Sequence, residues 1–69
     1  MNRYRVILDS IRWVCGTVTP FNLPTKTIAD VFADSEEEAL TEAQDGLGEA
    51  YGCFIEKCES HVFQPEQVN

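Results

Sequence analysis

Cys53, Cys58 and His61 place three ligand-type or nucleophilic side chains within nine residues, and Cys15 adds a fourth such group. Structural zinc sites favour cysteine pairs separated by two to four residues on tight turns. Here the residues belong to a segment of strand composition, and Cys53 and Cys58 have opposite strand parity. A zinc centre is therefore not expected. Cys58 and His61 would make a thiol–imidazole nucleophile only with an orienting group and an oxyanion turn, and the sequence offers neither. Gly46-Leu47-Gly48 is not followed by Lys-Ser or Lys-Thr, so no phosphate-cradling loop is read from it. We expect no catalytic residue, no cofactor and no metal.

The remaining chemistry is carboxylate chemistry. Residues 27–56 contain no Lys or Arg but hold Asp30, Asp34, Glu36, Glu37, Glu38, Glu42, Asp45, Glu49 and Glu56, a net of −9. Residues 1–26 carry Arg3, Arg5, Arg12 and Lys26 against Asp9, a net of +3. The formal net charge of −7 thus belongs to the middle of the chain. A field of that sign disfavours direct contact with nucleic-acid phosphates and favours a partner with a basic surface.

Tyr4 to Val14 is rich in β-branched and aromatic residues and reads as a strand. Strict alternation puts Tyr4, Val6 and Leu8 on one face and Arg5, Ile7, Asp9, Ile11 and Trp13 on the other. Gly16 to Thr25 contains Pro20 and Pro24, which keep it out of ladder pairing, and carries Phe21 and Leu23; it reads as a long hairpin connection. Lys26 to Ala33 is a second strand, with Ala29, Val31 and Ala33 facing a helix and Ile28, Asp30 and Phe32 facing away. Ser35 with Glu38 fits a capping box, and Glu36, Glu37 and Glu38 suit the positive end of a helix dipole. Ala39, Leu40, Ala43, Leu47, Ala50 and Tyr51 form its apolar stripe, and Gly52 stops it. Cys53 to Phe63 returns to strand composition, ahead of a polar tail at 64–69.

The predicted fold is α+β, a ββαβ chain with an antiparallel sheet in order 2-1-3 and one helix on one face. Its 69 residues are read as a single domain, ordered over about 2–63. A composition of 43% apolar and 25% charged residues excludes disorder, and no apolar run nears the ~20 residues needed to span a bilayer. Asp9 and Arg12 interrupt the first apolar stretch, so it does not read as a signal peptide. The expected compartment is the cytoplasm, with Cys15, Cys53 and Cys58 all reduced.

Two candidate surfaces follow. Glu38, Glu42, Asp45 and Glu49, at i, i+4, i+7 and i+11, line one outward helix face without an interspersed lysine. Such a row of carboxylates can stand in for nucleic-acid phosphates opposite a Lys/Arg groove, although a solvated face that maintains solubility has the same composition. The sheet face away from the helix would expose Ile7, Ile11, Trp13, Ile28 and Phe32, with Phe54 beside them. That surface would suit a homodimer or another protein unless the Phe21-Leu23 loop and Val62-Phe63 cover it.

The strand-to-helix junction Phe32-Ala33-Asp34-Ser35-Glu36-Glu37-Glu38-Ala39-Leu40, within this strand order, size and acidity, resembles small proteins encoded by bacteriophages and mobile elements, anti-CRISPR proteins among them. The resemblance covers the overall plan of about residues 2–63 and carries over no functional residue. It implies a non-enzymatic inhibitor in the host bacterial cytoplasm that occupies a basic nucleic-acid-binding surface on a CRISPR effector, a host protein or ribonucleoprotein. The alternative is a self-associating structural or assembly module that uses the apolar sheet face.

Overall fold

The computed structural model describes residues 1–16 and 23–65, in the order β1 (Asn2–Val14), β2 (Lys26–Ala33), α1 (Glu36–Tyr51) and β3 (Phe54–Phe63). The fold is the expected α+β arrangement, a three-stranded sheet in order β2-β1-β3 with one helix against it. β1 pairs antiparallel with β2 from Asn2↔Ala33 to Asp9↔Lys26, and with β3 from Arg5↔Phe63 to Val14↔Phe54. β2 and β3 therefore run parallel to each other on either side of β1. Phe21 of the expected hairpin connection, and most of the expected polar tail, lie outside the described residues.

Alternation along β1 buries Tyr4, Val6 and Leu8, the last two completely. Ala33 of β2 and Ala39 and Ala43 of α1 complete the centre, and their small side chains let the helix approach the sheet closely. Leu40, Leu47, Ala29, Val31, Ile55 and Val62 pack around it. Ala50 and Tyr51, expected in the buried stripe, are exposed, Tyr51 by 45%. The last helical turn meets the Trp13 indole, edge to face at 5.5 Å between centroids, instead of the packed centre.

The expected faces of β1 hold only as far as Asp9. Between Asp9↔Glu59 and Arg12↔Lys57, β1 advances three residues and β3 two; between Arg12↔Lys57 and Trp13↔Ile55, β1 advances one and β3 two. Each strand thus carries one extra residue, and the two bulges cancel in register while inverting the side-chain alternation on both strands. Ser10 takes the bulge conformation at φ 52°, and its N–H donates to Asp9 Oδ1 at 2.8 Å. Ile11, expected on the open face, is consequently buried in the core at 5% exposure. Trp13, expected beside it, is half-buried against the same core, and its Nε1 donates to the Pro24 carbonyl at 2.8 Å.

Both helix ends follow from their residues. Ser35 Oγ accepts from the Glu38 N–H at 3.2 Å, and the Glu38 carboxylate accepts in return from the Asp34 N–H at 3.2 Å. At the other end Gly52 is left-handed at φ 66°. The N–H of Gly52 donates to Glu49 O, and that of Cys53 donates to Gly48 O, which completes a Schellman motif. This turn returns the chain to the end of β1, where Cys53 is disulfide-bonded to Cys15 with a Cα–Cα distance of 4.5 Å. The expectation of three reduced thiols is thereby corrected, with Cys58 alone free. The antiparallel pairing of β1 and β3 brings the residue after one strand beside the residue before the other, and a disulfide needs that proximity.

Candidate functional site

Two faces emerge, and the charges divide between them. All five Lys and Arg stand on the strands, and α1 has none. The helix and its cap hold Asp34, Glu36, Glu37, Glu38, Glu42, Asp45 and Glu49, all exposed.

The four carboxylates expected to form the acidic face do not behave alike. Glu38 is committed to the N-cap hydrogen bond with Asp34. Glu42, Asp45 and Glu49 are exposed, and none of them forms an ion pair among the described residues. Asp45 and Glu49 rim a groove of about 490 Å³ between the second half of α1 and the start of β3. Its floor and far wall are Gly48, Gly52, Cys53, Phe54 and Ile55, with Gln44 beside Asp45. Phe54 is 79% exposed, so the groove joins an apolar wall to a carboxylate rim. The negative end of the helix dipole lies at the same end, and no basic residue occupies the last turn to offset it. The arrangement suits a long cationic side chain, whose stem can lie on an aromatic ring while its head meets carboxylates.

On the opposite side, the open sheet face is ordered by cross-strand register. Arg3 stands beside Phe32; Asp30, Arg5 and Phe63 form the next row, then Ile28, Ile7 and His61, then Lys26, Asp9 and Glu59. Arg12 and Glu56 follow beyond the bulges as an ion pair at 3.5 Å. Asp30 accepts from Arg3 Nη2 at 3.0 Å and from Arg5 Nε at 3.4 Å. The Arg3 hydrogen bond holds the Asp30 carboxyl below its ordinary pKa; desolvation opposes it, and the Arg3 charge together with the hydrogen bond and charge of Arg5 add to the lowering. Of the expected apolar face, Ile28 and Phe32 are each 60% exposed, and Ile7 is half-buried between its neighbours. Phe63, at 54% exposure, joins this face from β3 beside Arg5, whereas Ile11 and Trp13 have left its other end. Val62 turns to the helix side, so Val62-Phe63 does not cover the open face.

Cys58 and His61 are not brought together. Cys58 is half-buried toward α1, where Gln44 Nε2 approaches its Sγ at 3.2 Å, while His61 is exposed on the other face of β3 beside Ile7. No group of three or more His, Cys, Asp or Glu able to hold a metal ion forms among the described residues. Among the same residues no helix is long and apolar enough to cross a membrane.

Phe63 and the Asp45–Glu49 groove were missed by sequence reasoning. Phe63 was legible, since it has the parity of His61 and Glu59. The groove was not, because it depends on how closely the Schellman turn brings Phe54 to the helix. Comparison with family models, with curated proteins and with solved structures returns no match.

Proposed function

We propose that the chain is a non-enzymatic binding protein whose acidic helix face engages a basic surface on a partner protein or ribonucleoprotein. The observation that carries this reading is the group Glu42, Asp45 and Glu49, exposed and unpaired among the described residues, of which Asp45 and Glu49 rim a groove with an aromatic wall. Like charges at i, i+3 and i+4 repel, and no lysine on this helix relieves that repulsion, which a cationic partner surface would. Held on a rigid, capped helix, the carboxylates present negative charge at fixed spacing, as a nucleic-acid backbone does. The partner class is therefore a surface built to hold nucleic acid, and the effect of binding is to block it. The resemblance to phage-encoded anti-CRISPR proteins makes a CRISPR effector complex in the bacterial cytoplasm the first partner to try.

The Cys15–Cys53 bond bears on where the protein acts. Cytosolic thiol pools keep most such pairs reduced. Action in the cytoplasm therefore requires either a bond that resists glutathione or a fold that survives its loss.

The test is capture from nuclease-treated bacterial lysate on immobilised wild-type protein and on the Glu42→Lys/Asp45→Lys variant, read by mass spectrometry. The reading predicts a basic nucleic-acid-handling complex held by the wild type and lost from the variant. The same proteins held equally by both would refute it.

A further inference from the structure

The open sheet face supports a second inference, which does not depend on the acidic helix. We propose that this face binds a second copy of the chain, in an isologous dimer whose β1 strands cross antiparallel, to within the ~30° set by sheet twist, with Ile7 at the two-fold axis.

Its centre is the row Ile28–Ile7–His61, bordered by Phe32 and Phe63, an apolar patch that the helix on the other side cannot cover. Exposed aliphatic and aromatic side chains on one flat face mark an interface, and the charges around them select the partner. The row Asp30–Arg5–Phe63 lies two residues from Ile7 toward one end, and the row Lys26–Asp9–Glu59 lies two residues toward the other. Rotation about an in-plane axis through Ile7, perpendicular to the strands, superposes one row on the partner's other row. Arg5 then faces the partner's Asp9, Asp30 faces the partner's Lys26, and Phe63 lies over the partner's Glu59. The two-fold repeats every contact. Farther out, Arg3 comes over the partner's Arg12–Glu56 pair, which is neutral as a unit. The alternative two-fold, parallel to the strands, would put Arg5 on Arg5 and Asp9 on Asp9, so like charges disfavour it. The same chain carries both halves of the complementary pattern, so it fits itself.

One face of a three-stranded sheet makes a small interface, and the association should be weak, with a dissociation constant on the order of micromolar. Sedimentation velocity over a concentration series tests it on the wild type, on Arg5→Asp and on Asp9→Arg, with circular dichroism confirming that each is folded. Either variant alone opposes like charges at both copies of the contact, so each should dimerise at least about tenfold more weakly than the wild type. Mixed together, the two variants restore an Asp–Arg contact at both positions and should form a heterodimer of near wild-type affinity. Should a variant fail to fold, carbodiimide coupling of mixed unlabelled and isotope-labelled wild-type chains gives an independent reading. It should join Lys26 of one copy to Asp30 of the other. A wild type still monomeric at about 1 mM would overturn the dimer. Variants that dimerise like the wild type, a mixture that does not recover, or the absence of the Lys26–Asp30 link would overturn this register.

Discussion

The carbonyl oxygen of Cys53 lies 2.8 Å from the position that a Cβ on Gly48 would occupy. The Schellman turn brings the chain back over the helix end, and only glycine leaves room for the peptide that leads into the disulfide and β3. Gly46, two residues earlier, has nothing within 4 Å of its corresponding position. The two glycines should therefore respond oppositely to alanine. Gly46→Ala should stabilise the fold by about 1 kcal/mol through helix propensity. Gly48→Ala should destabilise it by about 1–3 kcal/mol, because a backbone atom must shift. Urea denaturation of both variants reads the difference.

The paired bulges predict which isoleucine belongs to the core. Ile11→Ala should cost about 2–4 kcal/mol, as for a buried aliphatic side chain. Ile28→Ala should stay within about 0.5 kcal/mol at concentrations low enough to keep the chain monomeric. Ser10, held at φ 52°, should tolerate Gly and resist Val, because a β-branched residue is strained in the left-handed region. Denaturation midpoints of the four variants check this.

The Cys15–Cys53 bond closes a separation of 38 residues. Chain-entropy reasoning assigns such a cross-link about 4 kcal/mol, a large share of what a domain this small can muster. Thermal unfolding with and without a phosphine reductant should show a fall in Tm of well over 10 °C, and Cys58→Ser should leave that difference intact.

Asp30 gives a pH signature. Its carboxyl is held low by the Arg3 hydrogen bond and by both guanidinium charges. The pKa is depressed by folding, so the associated stability is present above the unfolded value and is lost as pH falls through the folded one. NMR titration should place Asp30 below the ordinary carboxyl range, and Arg3→Ala should raise it toward that range. An unmoved value would show that Arg3 is not the cause.

Sequence pattern carried the strand order, the helix with both caps and the outward placing of Glu42, Asp45 and Glu49, because each rests on local spacing. It misplaced Ile11 and Trp13, because a one-residue bulge leaves no composition mark and strict alternation runs straight through it. A faint clue was present: Tyr4, Val6 and Leu8 share one parity and Ile11 and Trp13 the other, with polar Asp9-Ser10 between them, but Ile7 and Val14 blur the slip. The Cys15–Cys53 bond was also within reach, since antiparallel β1 and β3 must bring those two cysteines to one end of the sheet. A first stretch that does not read as an export signal argued against it, because cytosolic thiol pools keep such pairs reduced. The groove beside Phe54 was not legible, because it is set by tertiary approach.

The central claim is that Glu42, Asp45 and Glu49 meet a basic surface. The most direct measurement is the salt dependence of Kd for the captured partner, compared between the wild type and Glu42→Lys/Asp45→Lys. The account predicts that wild-type affinity falls steeply with added salt, and that the variant binds at least about tenfold more weakly with a shallower slope. Equal affinity and equal slope would contradict it.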